Sequence, residues 1–165
     1  MRAQSGIEVK ARFGRVPNAM ATFANSPVAL DGFLELSKSV NQGRLNTRQR
    51  ELLALAIAQE NECQYCLSSH TAFAARAGLS PASIRSARAA QSDNPFDEAL
   101  VSFAMKAIQH RGAVPEEDLK SARESGIDNG LMREIIAVIA LGTLTNYANR
   151  LADTDIDFPA VQVQL

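Results

Sequence analysis

The chain has 165 residues and a net charge of −1, with acidic and basic groups scattered rather than blocked. That balance offers no basic stripe for nucleic acid and no acidic solvating arm. A chain of this length reads as one domain, able to bury roughly 70% of its unfolded surface without cross-links. Alanine is abundant, tryptophan is absent and β-branched residues are sparse between positions 46 and 112, a composition that favours helices. No stretch alternates with period two, so the expected fold is all-α.

In chain order, residues 1–16 are polar and weakly patterned and read as an arm. They lack the apolar core of a secretory signal, and no apolar run approaches the length of a membrane span. The cytoplasm is the expected compartment. Pro17 opens a short helix over 18–24. Ser26-Pro27 is a helix start, with serine as N-cap and proline at the first helical position, and its apolar stripe runs to about Asn41. Asn46 or Thr47 starts a helix that is apolar nearly all round from Leu52 to Ala58, the pattern of a helix in the middle of a domain. Asn61, with Gln64 three residues on, has the form of a capping box. It predicts a second helix to about Ala77, stopped by Gly78. Further helices are expected over 81–90, 95–109, about 116–126 and 129–152, the last with Gly142 as a candidate kink. The tail 153–165 contains Pro159 and reads as extended.

The second of the two central helices carries both cysteines of the chain, Cys63 and Cys66, and one of its two histidines, His70. On a helix these positions are i, i+3 and i+7, which share a face. Helical Cα atoms three apart lie about 5 Å from one another, within the range a disulfide tolerates. Cys63 falls where the first-turn N–H groups favour a thiolate, and His70 can pair with the thiolate of Cys66 or take its proton. On one straight helix Glu51 would stand roughly 18 Å from Cys63. An antiparallel hairpin instead puts Glu51 opposite Ser69 and His70, giving a series of proton-exchanging groups: Glu51, His70, Cys66, with Cys63 beside it. Tyr65 lies on another side of the helix and reads as a packing residue with a hydrogen-bonded hydroxyl. A zinc site would need Glu51 or His110 as a fourth ligand; His110 reads instead as a helix C-terminal partner. Asn146, Tyr147 and Asn149 read as packing between helices. Arg50 to Leu55 also resembles Arg133 to Val138, which suggests an internal repeat that sets Cys63 against Asn146 and Cys66 against Asn149.

Glu51, eleven residues, Cys63-x-x-Cys66, three residues and His70 together resemble the signature of AhpD-like alkylhydroperoxidases in the carboxymuconolactone decarboxylase superfamily. Arg15 to Asn18 and Asn146 to Asp153 resemble its peroxidase-related members. The resemblance implies a compact AhpD-like helical domain with a central hairpin carrying the two thiols, assembled as a homo-oligomer such as a trimer or hexamer. It implies a thiol peroxidase that uses no flavin, haem or metal. Cys66 would then be the peroxidatic cysteine and Cys63 the resolving one, with Glu51 and His70 relaying protons. The implied partners are a small hydroperoxide and an external dithiol reductant, lipoyl-linked in the best-known members; no nucleic acid or membrane is implied. Those members have a histidine where this chain has Tyr65, so Tyr65 enters the candidate site as the departing position. Two other readings stand beside this one: decarboxylase or lactone chemistry as elsewhere in the superfamily, and a non-enzymatic thiol redox sensor.

Overall fold

Most of the helices begin on a side chain that satisfies their first free N–H groups. Ser26, Asn46, Ser80, Asn94 and Asp128 each accept a hydrogen bond from the backbone three residues on. At Asn46 the bond is reciprocated by Gln49, completing a capping box. Proline fills the first position after Ser26, Ser80 and Asn94, where its missing N–H costs nothing. The computed structural model describes residues 16–165. The elements are α1 (Asn18–Phe23), α2 (Pro27–Asn41), α3 (Thr47–Glu60), α4 (Gln64–Arg76), α5 (Pro81–Arg88), α6 (Pro95–Gln109), α7 (Glu116–Glu124) and α8 (Asn129–Leu151). No strand is present among the described residues, and the all-α fold is as expected. The arm expected over 1–16 lies, apart from Val16, outside the described residues.

The apolar helix α3 occupies the centre, packed by α4, α5, α6 and α8. Leu52, Leu53, Leu55, Ala56, Ile57 and Ala58 are all essentially inaccessible, so every face of the helix meets protein. The helix α8 crosses α3 closely at Gly142. A Cβ there would stand 2.9 Å from Ile57 Cγ2, inside van der Waals contact. The glycine thus serves a close approach in a continuous helix, not the kink that its position suggested. By length and composition alone α8 could cross a membrane, contrary to the expectation that no such run exists. Here it packs on α2, α3, α4 and α6.

Two helix boundaries differ from expectation in an informative way. Asn61 is the C-cap of α3, not the start of α4. Cys63 N–H returns to Ala58 O and Glu62 N–H to Gln59 O, a Schellman ending with Glu62 in the left-handed region at φ 50°. The helix α4 begins one residue later, and its N-cap is Cys63. The suggested repeat also fails. Residues 47–76 form a broken hairpin, whereas 129–151 are one helix, so the turn at 61–63 has no counterpart at 144–146.

After α8 the tail lies irregular along the domain, as expected. Arg88 holds the carbonyls of Gln162 and Val163 at 2.7 and 3.0 Å, and Gln59 Nε2 donates to Val163 O at 2.8 Å. Ser68 Oγ accepts from Val161 N at 3.0 Å. Asp157 accepts from Asn18 N at 3.1 Å and from the Tyr65 hydroxyl at 2.8 Å. The tail thereby joins α1 to the outer side of α4.

Candidate active site

Because the turn between α3 and α4 is so short, the two helices run antiparallel from the first residue, and positions equidistant from it meet. Glu51 Oε2 lies 2.8 Å from His70 Nδ1. Both are partly sheltered, with 15% and 27% of their side chains exposed. With Nδ1 engaged by the carboxylate, the other ring nitrogen is left for proton exchange. At the turn itself Cys63 and Cys66 are almost fully buried and not bonded. As N-cap, the Cys63 sulfur accepts the Cys66 N–H at 3.3 Å, and its thiol donates to Cys66 Sγ at 2.7 Å.

The last helix contributes residues that the sequence reading assigned to packing. Asn149 Nδ2 donates to Cys66 Sγ at 3.4 Å. Its carbonyl oxygen is buried beside the sulfur with no hydrogen-bond partner, an acceptor left open where a reacting group can stand. Asn146 Oδ1 accepts from Asn61 Nδ2 at 2.9 Å, and Arg150 binds the Asn61 carbonyl and approaches Glu62 at 3.9 Å. Asn146 and Arg150 therefore hold the strained turn while Asn149 faces the thiol. Tyr147 does neither: it is 61% exposed. The hydroxyl of Tyr65 binds Asp157 and accepts the Ala19 N–H at 3.2 Å, the packing geometry read from the sequence. His110 is exposed at the C-cap of α6 and does not line the site.

These contacts split the ionisation of the two thiols. The hydrogen bond from Cys63 is the largest influence on Cys66; burial opposes it, and the charge of His70 with the Asn149 and Asn146 amides adds to it. The balance lowers Cys66 from an ordinary 9.0 to about 6. Cys63 moves far the other way, because it keeps the shared proton for Cys66, is buried and faces the resulting negative charge. For His70, burial works against the imidazolium, but Glu51 and the Cys66 thiolate outweigh it and its pKa is raised. The resting pair is thus a Cys66 thiolate beside a protonated Cys63, with an imidazole close by whose charged form the two anions favour.

The thiolate opens onto a cavity of about 710 Å³. Its wall passes from Cys66 and Asn149 along Tyr65, Phe33 and Phe73, and includes Glu51 and His70. A buried, charge-stabilised thiolate with a paired carboxylate and imidazole in a cleft is the arrangement of a nucleophilic cysteine with its proton donor.

The fold is that of AhpD-like, peroxidase-related proteins of known structure. A family model described as carboxymuconolactone decarboxylase matches residues 27–110, and the chain belongs to that family. The matched span includes both cysteines, Glu51 and His70 but ends before Asn146 and Asn149. Among solved structures, an uncharacterized peroxidase-related protein from Silicibacter sp. TM1040 has a TM-score of 0.79 at 20% identity, over 99% of this chain and 88% of its own. An alkylhydroperoxidase AhpD core protein from Ralstonia eutropha JMP134, also an uncharacterized peroxidase-related protein, gives 0.80 at 24%, over 98% and 88%. The debrominase Bmp8, as a C82A variant in complex with 2,3,4-tribromopyrrole, gives 0.76 at 21%, over 90% and 81%. No curated protein sequence matches the chain.

Proposed function

We propose that the protein is a thiol peroxidase that reduces hydroperoxides through a Cys66/Cys63 disulfide cycle. The observation that carries this reading is the Cys63 thiol 2.7 Å from the Cys66 sulfur, in one cavity with the Glu51–His70 pair, an arrangement that lowers the Cys66 pKa. In the first step the Cys66 thiolate attacks the terminal oxygen of R–O–O–H. The O–O bond breaks, an S–O bond forms, and the leaving alkoxide takes the proton of the His70 imidazolium to become ROH. Cys66 is then a neutral sulfenic acid, so the negative charge that kept Cys63 protonated is gone. Neutral His70 takes the Cys63 proton. The Cys63 thiolate attacks the Cys66 sulfur, and hydroxide leaves with that proton as water. An external dithiol, lipoyl-linked in well-known relatives, restores the pair by exchange. In this scheme Glu51 holds and charges the imidazole, Asn149 steadies the thiolate, and Tyr65 positions α4 from outside the reaction.

The expected setting is a reducing compartment, the cytoplasm, where such a dithiol persists. A homo-oligomer is proposed as well, on the exposed apolar row of Ile136, Leu144, Tyr147 and Leu151 along one face of α8.

The test is peroxide consumption with dihydrolipoamide as reductant. Wild type should turn over, Cys66→Ser should not, and Cys63→Ser should consume about one equivalent and stop, as a reaction without a resolving thiol must. Normal turnover by Cys66→Ser would overturn the assignment. The redox-sensor alternative predicts that Glu51→Gln leaves peroxide-driven thiol oxidation almost unchanged, whereas the relay predicts a loss of about a hundredfold, the low end for general acid–base catalysis.

A further inference from the structure

A hydroperoxide group is scarcely larger than a water molecule or two, yet the cavity holds about 710 Å³, the volume of a pocket for a drug-sized ligand. The two ends of that cavity differ in chemistry. At one end are Cys66 and Asn149; at the other, around the open end of the α3–α4 hairpin, are Lys38, Arg50 and Arg76. The only carboxylate on the wall among the described residues is Glu51, and it is occupied by His70. None of the three cations has a carboxylate within ion-pair distance among the described residues. The Arg50 guanidinium rests on two neutral oxygens, Leu45 O and Thr47 Oγ1. Among the described residues the rim therefore carries three cations with no carboxylate in contact, while the wall between it and the thiol is formed largely by Met20, Phe33, Phe73, Val138 and Leu141.

We propose that this cavity selects a carboxylate-ended chain hydroperoxide, with the acid group held by Lys38 and Arg76 at the rim and the hydroperoxide at Cys66. The inference rests on the peroxidase reading for its reacting end only; the charge arrangement at the rim stands without it. The spacing sets the chain. Cys66 and Arg76 are ten residues apart on one straight helix, about 15 Å. That is the span of on the order of ten carbon–carbon bonds, so the acid and the hydroperoxide belong in the middle range of a fatty chain. Arg50, fixed by its two neutral partners, adds charge at the rim without having to move.

Rim ion pairs are modest in water, and two of them together give about a tenfold preference. With dihydrolipoamide as reductant, the kcat/KM for a hydroperoxide of an eighteen-carbon fatty acid should exceed that for its methyl ester by about tenfold. The preference should shrink as salt is raised. In Lys38→Gln/Arg76→Gln the acid-to-ester ratio should fall to near one. Equal rates for acid and ester in wild type, or an unchanged ratio in the double variant, would overturn the proposal. A second measurement is independent of turnover. Decanoate should slow alkylation of Cys66 by iodoacetamide in wild type, decanol should do so less, and the difference should vanish in the double variant. If no hydroperoxide is reduced but decanoate protects in this charge-dependent way, the peroxidase reading fails and the acid-binding cavity stands. If cumene hydroperoxide is reduced while decanoate and decanol protect alike, the reverse holds.

Discussion

The side-chain amide of Asn149 reaches the sulfur of Cys66 at 3.4 Å, across 83 residues of sequence. It donates to a sulfur that is almost fully buried, so it bears directly on the charge of the nucleophile. A hydrogen bond to an ionised group contributes about 1.5 kcal/mol or more, near one unit of pKa. Asn149→Leu should therefore shift the Cys66 midpoint upward and slow its alkylation on the order of tenfold at pH 5, below the midpoint, but only about twofold at pH 7. The pH dependence of iodoacetamide labelling measures both.

The thiol and the imidazole make opposite contributions to stability as pH changes. The Cys66 pKa is depressed to about 6 from 9.0, so its contribution is full above pH 9 and is lost as pH falls toward 6. The His70 pKa is raised above 6.5, so its contribution is full below that value and is lost as pH rises through the higher folded value. Just above pH 6.5 the proton that Cys66 releases on folding is matched by the one His70 keeps, and the slopes cancel. His70→Asn should leave a stability that rises with pH over that window, and Cys66→Ser one that falls. Urea midpoints across the window read the two signs.

Tyr65→Phe removes the hydroxyl that joins Asp157 to the Ala19 amide. The loss of two hydrogen bonds at a buried position should destabilise the protein by about 1–3 kcal/mol. Amide exchange should quicken in the tail near Val161 while the labelling midpoint of Cys66 stays in place. A shifted midpoint would make Tyr65 part of the proton relay.

Gly142→Ala places a methyl group on Ile57, which lies on the buried central helix. Overpacking of this kind costs about 1–3 kcal/mol. Ile57→Ala in the same chain, which removes Cγ2, should recover part of it, although alone it costs about 2–5 kcal/mol. A double-mutant cycle by urea unfolding should show that coupling.

The exposed row on α8 gives the last prediction. Leu144→Glu/Leu151→Glu sets two charges on a face otherwise formed by Ile136 and Tyr147. Light scattering should show an oligomer for wild type and a smaller species for the variant, with helix content unchanged by circular dichroism.

Much of this was legible because it is local. Ser26, Asn46, Asn94 and the prolines after serine and asparagine mark helix starts through bonds that span three residues. The pairing of Glu51 with His70 followed from counting outward from a turn. The turn itself was misread by one cap, because Asn61 and Cys63 compete for the same role. Asn61 is taken by the Schellman ending of α3, which needs Glu62 at a positive φ that no residue type there announces. Asn149 and Gly142 were legible as residues but not as partners. Their contacts depend on how α8 crosses α3 and α4, which is a matter of packing between segments far apart in the chain.

The stitching of the tail to α1 and α4 has a consequence for synthesis. Asn149, Asp157 and Val161 are made some eighty or more residues after the cysteines they cover. Before α8 is synthesised the chain holds both thiols but neither Asn149 at Cys66 nor the tail over Ser68. A nascent chain paused before α8 lacks the Asn149 and Asn146 amides and should alkylate at Cys66 with a higher midpoint than the finished chain, whose midpoint is near 6. The thiol thus reaches its full reactivity only once α8 is made, together with the part of the pocket wall that Val138, Leu141 and Asn149 complete.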